Sequence, residues 1–135
     1  MNNIIDTVID TNVLVSALWS KVGNPSKIAH LIPDGKIVPH FCDEILNEYK
    51  SVLSRPSFDF SYAEIEELLR QLVKYGKNVV VYKSNIPLPD ESDRIFYDTA
   101  KTSEAILITG NTKHFPPEEF IMTPSEFLRL IENKN

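Results

Sequence analysis

The chain predicts an α/β fold, a three-layer sandwich in which a central parallel sheet of four to five strands is flanked by helices on both faces. Three observations carry that expectation. Short apolar, β-branched runs alternate with segments of 10 to 15 residues whose apolar positions fall at helical spacing. Start and stop signals punctuate the helical segments. Acidic residues gather where two of the apolar runs stop, at Asp10 and at Asp90-Glu91-Ser92-Asp93, and in parallel sheets ligands bind beyond the carboxyl ends of the strands.

Ile4 to Ile9 is a β-branched run broken by Asp6, and Asp10-Thr11-Asn12 turns it into a helix carrying Val13, Leu14, Ala17 and Leu18. Asn24 followed by Pro25 places a capping side chain ahead of a proline at the first helical position. A second helix therefore spans about residues 26 to 32 and stops at Pro33-Asp34-Gly35. Lys36 to Pro39 is a second strand. Ile45, Leu46, Tyr49, Val52 and Leu53 define a third helix over 42–53, ended by Arg55-Pro56. Ser61 with Glu64 forms a capping box for the helix of Ile65, Leu68, Leu69, Leu72 and Val73, closed by Gly76.

Asn78 to Tyr82 reads as a third strand, and Ser84 to Pro89 as a proline-marked loop. Arg94 to Ser103 reads as a helix, and Ala105 to Thr109 as a fully buried strand ending at Gly110-Asn111. Phe120 to Met122 is a short last strand before a second capping box, Thr123 with Glu126, which opens the helix of Phe127, Leu128, Leu130 and Ile131.

At 135 residues the chain has the size of one domain, expected to run over 1–135. A net charge of −5 argues against nucleic-acid binding by bulk electrostatics, so a phosphate-bearing substrate has to be met locally, by metal ions or a basic rim. The single cysteine, Cys42, excludes an intramolecular disulfide, and no Cys/His spacing suits zinc. No apolar run approaches the ~18 residues that span a bilayer, and no signal segment opens the chain. The expectation is a cytoplasmic protein with no membrane association.

Asp10 ends the first strand and Asn111 follows the strand at 105–109, so both lie at one sheet edge if those strands are neighbours. Asp93 opens the helix feeding the second of them. Glu48 falls at the margin of its helix's apolar stripe, where an unpaired carboxylate costs on the order of several kcal/mol. Three carboxylates brought together repel one another and recruit a cation, and an all-oxygen ligand set suits Mg²⁺ or Mn²⁺. Each residue also has a plainer reading. Asp10 and Asp93 can be helix caps, Asn12 a turn residue, Glu48 a solvated flank paired with Lys50 or Arg55, Asp90 and Glu91 a polar loop, and Asp98 a surface partner of Arg94.

In this order, several stretches resemble the PIN domain family, within it the toxin components of toxin–antitoxin systems. They are Val8-Ile-Asp-Thr-Asn-Val-Leu-Val-Ser-Ala17, Gly23-Asn-Pro25, Glu44-Ile-Leu-Asn-Glu-Tyr49 with Val52-Leu-Ser-Arg-Pro56, Leu88-Pro-Asp-Glu-Ser-Asp-Arg-Ile-Phe-Tyr-Asp98, Leu107-Ile-Thr-Gly-Asn-Thr-Lys-His-Phe115 and Thr123-Pro-Ser-Glu-Phe-Leu128. The resemblance implies a PIN-like sandwich and a Mg²⁺- or Mn²⁺-dependent ribonuclease, with RNA as substrate, an antitoxin partner and a homodimer. By position it implies metal ligation by Asp10, Glu48 and Asp93. The family's fourth position, often Asp, is Asn111 here, whose uncharged amide lowers the expected metal affinity, and Ser92 is less acidic than the Asp often seen in its stretch. Asn12, Asp90, Asp98 and Thr109 are supporting candidates. Lys21, Lys27, Arg94 and Lys113, with His114, are candidate phosphate contacts, and Trp19 and Phe115 candidate stacking surfaces.

Two other functions compete with the nuclease. A PIN-fold module that binds RNA or protein but is catalytically weak fits the neutral Asn111 and Ser92. A phosphotransferase using Asp10 as nucleophile needs a second Asp two residues on, where this chain has Asn12. Dinucleotide binding has no support, since the four glycines form no Gly-x-Gly-x-x-Gly.

Overall fold

The computed structural model describes residues 3–134, so the first two residues and the last of the expected domain lie outside the described residues. Five parallel strands form one sheet in the order β3-β2-β1-β4-β5: β1 Ile5–Ile9, β2 Ile37–Phe41, β3 Lys77–Asn78, β4 Ile106–Ile108 and β5 Ile121–Met122. Six helices flank it: α1 Thr11–Trp19, α2 Asn24–Leu31, α3 Asp43–Leu53, α4 Tyr62–Tyr75, α5 Arg94–Ser103 and α6 Pro124–Lys134. The expected architecture is present.

The centre of the sheet is the most buried part. Val8 and Ile9 of β1 and Leu107 and Ile108 of β4 are fully enclosed, which fits strands covered on both faces. From β1 the chain adds β2 and β3 on one side, then crosses to add β4 and β5 on the other. The order therefore reverses between β1 and β4, where Thr7 pairs with Ile106 and Ile9 with Ile108. Just past that pairing the Asp10 N–H donates to Ile108 O at 2.9 Å. Such a switch point leaves a crevice at the carboxyl edge.

Both capping boxes form. Ser61 Oγ accepts from the Glu64 N–H at 3.1 Å while the Glu64 carboxylate accepts from the Ser61 N–H, and Thr123 and Glu126 exchange the equivalent pair. α4 turns Ile65, Leu68, Leu69 and Leu72 inward, but Val73 is exposed. Gly76 ends α4 where no side chain fits, because a Cβ there would stand 2.3 Å from both Leu72 O and Pro39 O. Pro39 O facing that way also explains how β2 tolerates a proline. Its missing N–H lies on the β3 side, and β3 pairs only with the next two residues, His40 and Phe41.

Two expected elements differ. β3 is two residues long, not the run 78–82. After the Val79 N–H donates to Phe41 O at 2.8 Å the chain leaves the sheet, and the Tyr82 N–H donates instead to Thr102 Oγ1. Val80 and Tyr82 are 83% and 78% exposed. Their β propensity had no surface to pack on, and propensity for strand is mostly packing. In α2 the cap is Gly23 rather than Asn24, which already belongs to the helix, with no side-chain cap bond.

Candidate active site

Asp10 stands at the N-cap of α1, yet its side chain makes no capping bond. It is 8% exposed and points into the switch-point crevice, where Oδ2 accepts from Thr109 Oγ1 at 2.8 Å. Thr109 is itself fully buried, and its hydroxyl oxygen accepts from the Asn111 N–H at 3.0 Å. Asn12 reaches across the same gap, with Oδ1 accepting from the Gly110 N–H at 3.0 Å and Nδ2 standing 3.5 Å from Asp10 Oδ2. The turn after β1 is thereby stitched to the turn after β4. Beneath it the buried Tyr49 of α3 donates its hydroxyl to Ile9 O. Burial and the Asp10 charge push that phenol well above its usual range, so it stays a donor. Tyr49 was expected only as a core residue.

Asp93 closes the short 3₁₀ turn Glu91–Asp93 ahead of α5. Its Oδ2 is buried with no hydrogen-bond partner. Burial first, then the charges of Asp10 and Asp90 and more weakly Glu48, raise the Asp93 pKa to about 6, while His114 opposes the shift. Asp10 is raised as well, chiefly by burial, with the Thr109 hydrogen bond acting the other way. His114 Nδ1 lies 3.6 Å from Asp93 Oδ2, and its Nε2 lies 2.9 Å from Asn111 Nδ2. From the sequence, His114 is expected only as a phosphate contact. Its spacing of three residues from Asn111, one turn of the 3₁₀ segment Thr112–His114, is the signal that links the two.

Other candidates fall elsewhere. Glu48 is exposed on α3, whose inward face is Ile45, Tyr49, Val52 and Leu53. The expected burial cost is absent, because the apolar stripe passes to one side of it; its charge still reaches Asp10 and Asp93. Asp90 is exposed and caps the 3₁₀ turn, accepting from Ser92 N–H and Oγ, which hold its pKa down. Asp98 is no surface residue: it is 2% exposed, and both oxygens accept from Ser84. Arg94 is engaged within the protein, donating to Ser84 O, Ile86 O and Glu91.

Lys21 pairs with Glu64 at 3.1 Å, whereas Lys27 and Lys113 are exposed. Phe115 belongs to the core. Trp19 is exposed and packs edge-on against Phe58 and Phe60. A groove of about 970 Å³ borders this region at Ser92 and Arg94 but is lined by neither Asp10 nor Asp93.

Among the described residues no three His, Cys, Asp or Glu side chains are arranged to hold a metal ion by themselves. Mg²⁺, however, is commonly bound through one or two carboxylates with waters completing its shell. The orphaned Oδ2 of Asp93, in the field of Asp10 and Glu48, is the donor chemistry such an ion needs. The residues present fit a divalent cation held by Asp10 and Asp93, with Glu48 at a distance.

The raised pKa of Asp93 gives a stability signature. A carboxyl group whose folded pKa exceeds its unfolded value of 3.8 binds its proton more tightly when folded, so its ionisation opposes folding. In metal-free buffer, chemical-denaturation stability is expected to rise as pH falls from about 7 to about 5, through the Asp93 pKa. Asp93→Asn flattens most of that rise, leaving the smaller part due to Asp10. A wild-type profile already flat over this window would show that the Asp93 carboxyl is not perturbed.

The sequence profile of the PIN domain matches residues 6–113, a span that begins in β1 and ends within the Asn111–His114 turn. The uncharacterized protein MJ1680 of Methanocaldococcus jannaschii is 34% identical over 110 residues, covering 79% of this chain and 71% of the relative. No solved structure matches the chain significantly. The profile takes in Asp10, Glu48, Asp93 and Asn111, and its extent places this chain in the PIN domain family, whose members are generally nucleases that use divalent metals.

Proposed function

We propose that the chain is a Mg²⁺- or Mn²⁺-dependent endoribonuclease that hydrolyses RNA phosphodiester bonds in the cytoplasm. In this reading it is the toxin of a toxin–antitoxin pair, and binds an antitoxin protein and a second copy of itself. The observation that carries the catalytic part is the buried, partnerless Asp93 Oδ2 facing the charges of Asp10 and Glu48. Acids whose pKa is raised by burial and like charges cluster at functional sites in clefts. The RNA, antitoxin and dimer assignments are supported by the motifs shared with PIN toxins.

Asp10 and Asp93 would hold the cation, with Asn111 assisting through its amide oxygen. A bound divalent ion supplies two things, neutralisation of charge growing on the phosphodiester and a water made nucleophilic near neutral pH. The rest is work for the chain. Thr109 fixes the rotamer of Asp10, and Asn12 locks the loop that carries Asn111. Glu48 and Asp90 add negative potential that draws a cation to the crevice. Lys113 and Lys27 are exposed and are the candidate contacts for substrate phosphates.

The test is cleavage of single-stranded RNA in Mn²⁺ with calorimetry of Mn²⁺ binding. Cleavage that stops on chelation is the expected result. The neutral Asn111 and the exposed Glu48 favour a second reading, the catalytically weak module for RNA or protein. Absence of both cleavage and Mn²⁺ uptake at millimolar concentration would establish that reading instead.

A further inference from the structure

His114 occupies a position between two site residues that constrains its protons. Its Nε2 is 2.9 Å from Asn111 Nδ2 and its Nδ1 is 3.6 Å from Asp93 Oδ2. A carboxamide nitrogen donates and does not accept, so Nε2 must be the bare nitrogen. The ring proton then sits on Nδ1, facing a carboxylate oxygen that has no other partner. The opposite arrangement, with Asn111 turned over and its oxygen on an Nε2–H, would aim the Nδ1 lone pair at the anionic Asp93 oxygen. Of the two tautomers, only the first suits both neighbours. With Nδ2 tied to the ring, Oδ1 is the end of the Asn111 carboxamide left free.

Orientation matters at position 111 because the residue is an amide. A carboxylate presents an oxygen whichever way it turns. A carboxamide rotated by half a turn presents an NH₂ group, whose partial positive charge repels a cation. We propose that His114 is a positioning residue that fixes the Asn111 carboxamide, leaving its oxygen rather than its nitrogen as the ligand for the divalent cation. This rests on the metal-dependent reading above, and it compensates in part for the missing fourth acid.

Four chains test it: wild type, His114→Ala, Asn111→Asp and the double variant. In metal-free, mildly alkaline solution, nitrogen NMR of the wild-type His114 ring is expected to show the Nδ1–H tautomer, and the Asn111 side-chain amide protons are expected to be protected from exchange. An Nε2–H tautomer overturns the proposal. By calorimetry, His114→Ala is expected to weaken Mn²⁺ binding about fivefold to tenfold, the worth of one orienting hydrogen bond. In the Asn111→Asp background the same change is expected to alter affinity by less than about twofold, because a carboxylate needs no orienting. An equal loss in both backgrounds also overturns it. His114→Gln, which keeps an acceptor for Nδ2, is expected to recover part of the affinity. Should none of the chains bind Mn²⁺, the metal-dependent reading fails, and the tautomer and amide-exchange measurements decide the positioning of Asn111 on their own.

Discussion

Replacing Asp10 with Asn is expected to lower Mn²⁺-dependent RNA cleavage by about 10²- to 10³-fold, the scale seen when a group aimed at developing charge is removed. The metal-free protein is expected to be at least as stable as wild type. The two halves of that result follow from the same geometry. Asp10 is almost wholly buried, and burial has already raised its pKa, so its charge is held against a desolvation cost. An amide oxygen still accepts from Thr109 Oγ1, so the stitching between the two turns survives. Removing the charge also relieves its repulsion with Asp93 and Glu48. Activity and stability therefore move in opposite directions, as they do where a site stores unfavourable charge for function. Cleavage assays together with melting in chelator give both quantities. Cleavage within tenfold of wild type would sink the catalytic assignment. A melting temperature lowered by several degrees would make Asp10 a structural residue.

What the sequence revealed, and what it hid, divides along a physical line. Elements announced by local chemistry were legible: both capping boxes, α5 over its full extent, and the parallel sheet implied by strand–helix alternation. So was the convergence of Asp10, Thr109 and Asn111, because their places at strand ends are fixed by the strands themselves. Properties set by tertiary neighbours were not. Glu48 was expected at the edge of a buried stripe, but the stripe's exact rotation depends on what α3 packs against. The run Val80–Tyr82 has strand chemistry but lies beyond the end of β3, with Val80 and Tyr82 largely exposed. The spacing of Arg94 and Asp98 suggested a surface ion pair, since spacing along a helix says nothing of the loop folded over it.

That loop is the reason Asp98→Ala is expected to cost about 3–5 kcal/mol of folding stability, the range for breaking a buried charged network by removing one member. Asp98 holds Ser84 by its N–H at 3.0 Å and its hydroxyl at 2.6 Å. Arg94, only 12% exposed, stands 3.9 Å from Asp98 and donates to the carbonyls of Ser84 and Ile86. Truncating Asp98 leaves a largely enclosed guanidinium with Glu91 as its remaining anion, and a serine with neither bond replaced. The loop beginning at Ser84 leads directly into the 3₁₀ turn that presents Asp93, so loosening it also displaces the carboxylate proposed to hold the cation. Cleavage should fall together with the denaturation midpoint, and Mn²⁺ affinity with both. This is the reverse of the Asp10 variant, where activity is lost and stability kept. Asp98→Asn separates the two contributions further, because an amide keeps an acceptor for Ser84 while removing the charge that faces Arg94. It is expected to retain more stability than Asp98→Ala. If Asp98→Ala melts within about a degree of wild type, the loop is held by its prolines and apolar contacts rather than by this network, and Asp98 returns to the candidates for the metal site.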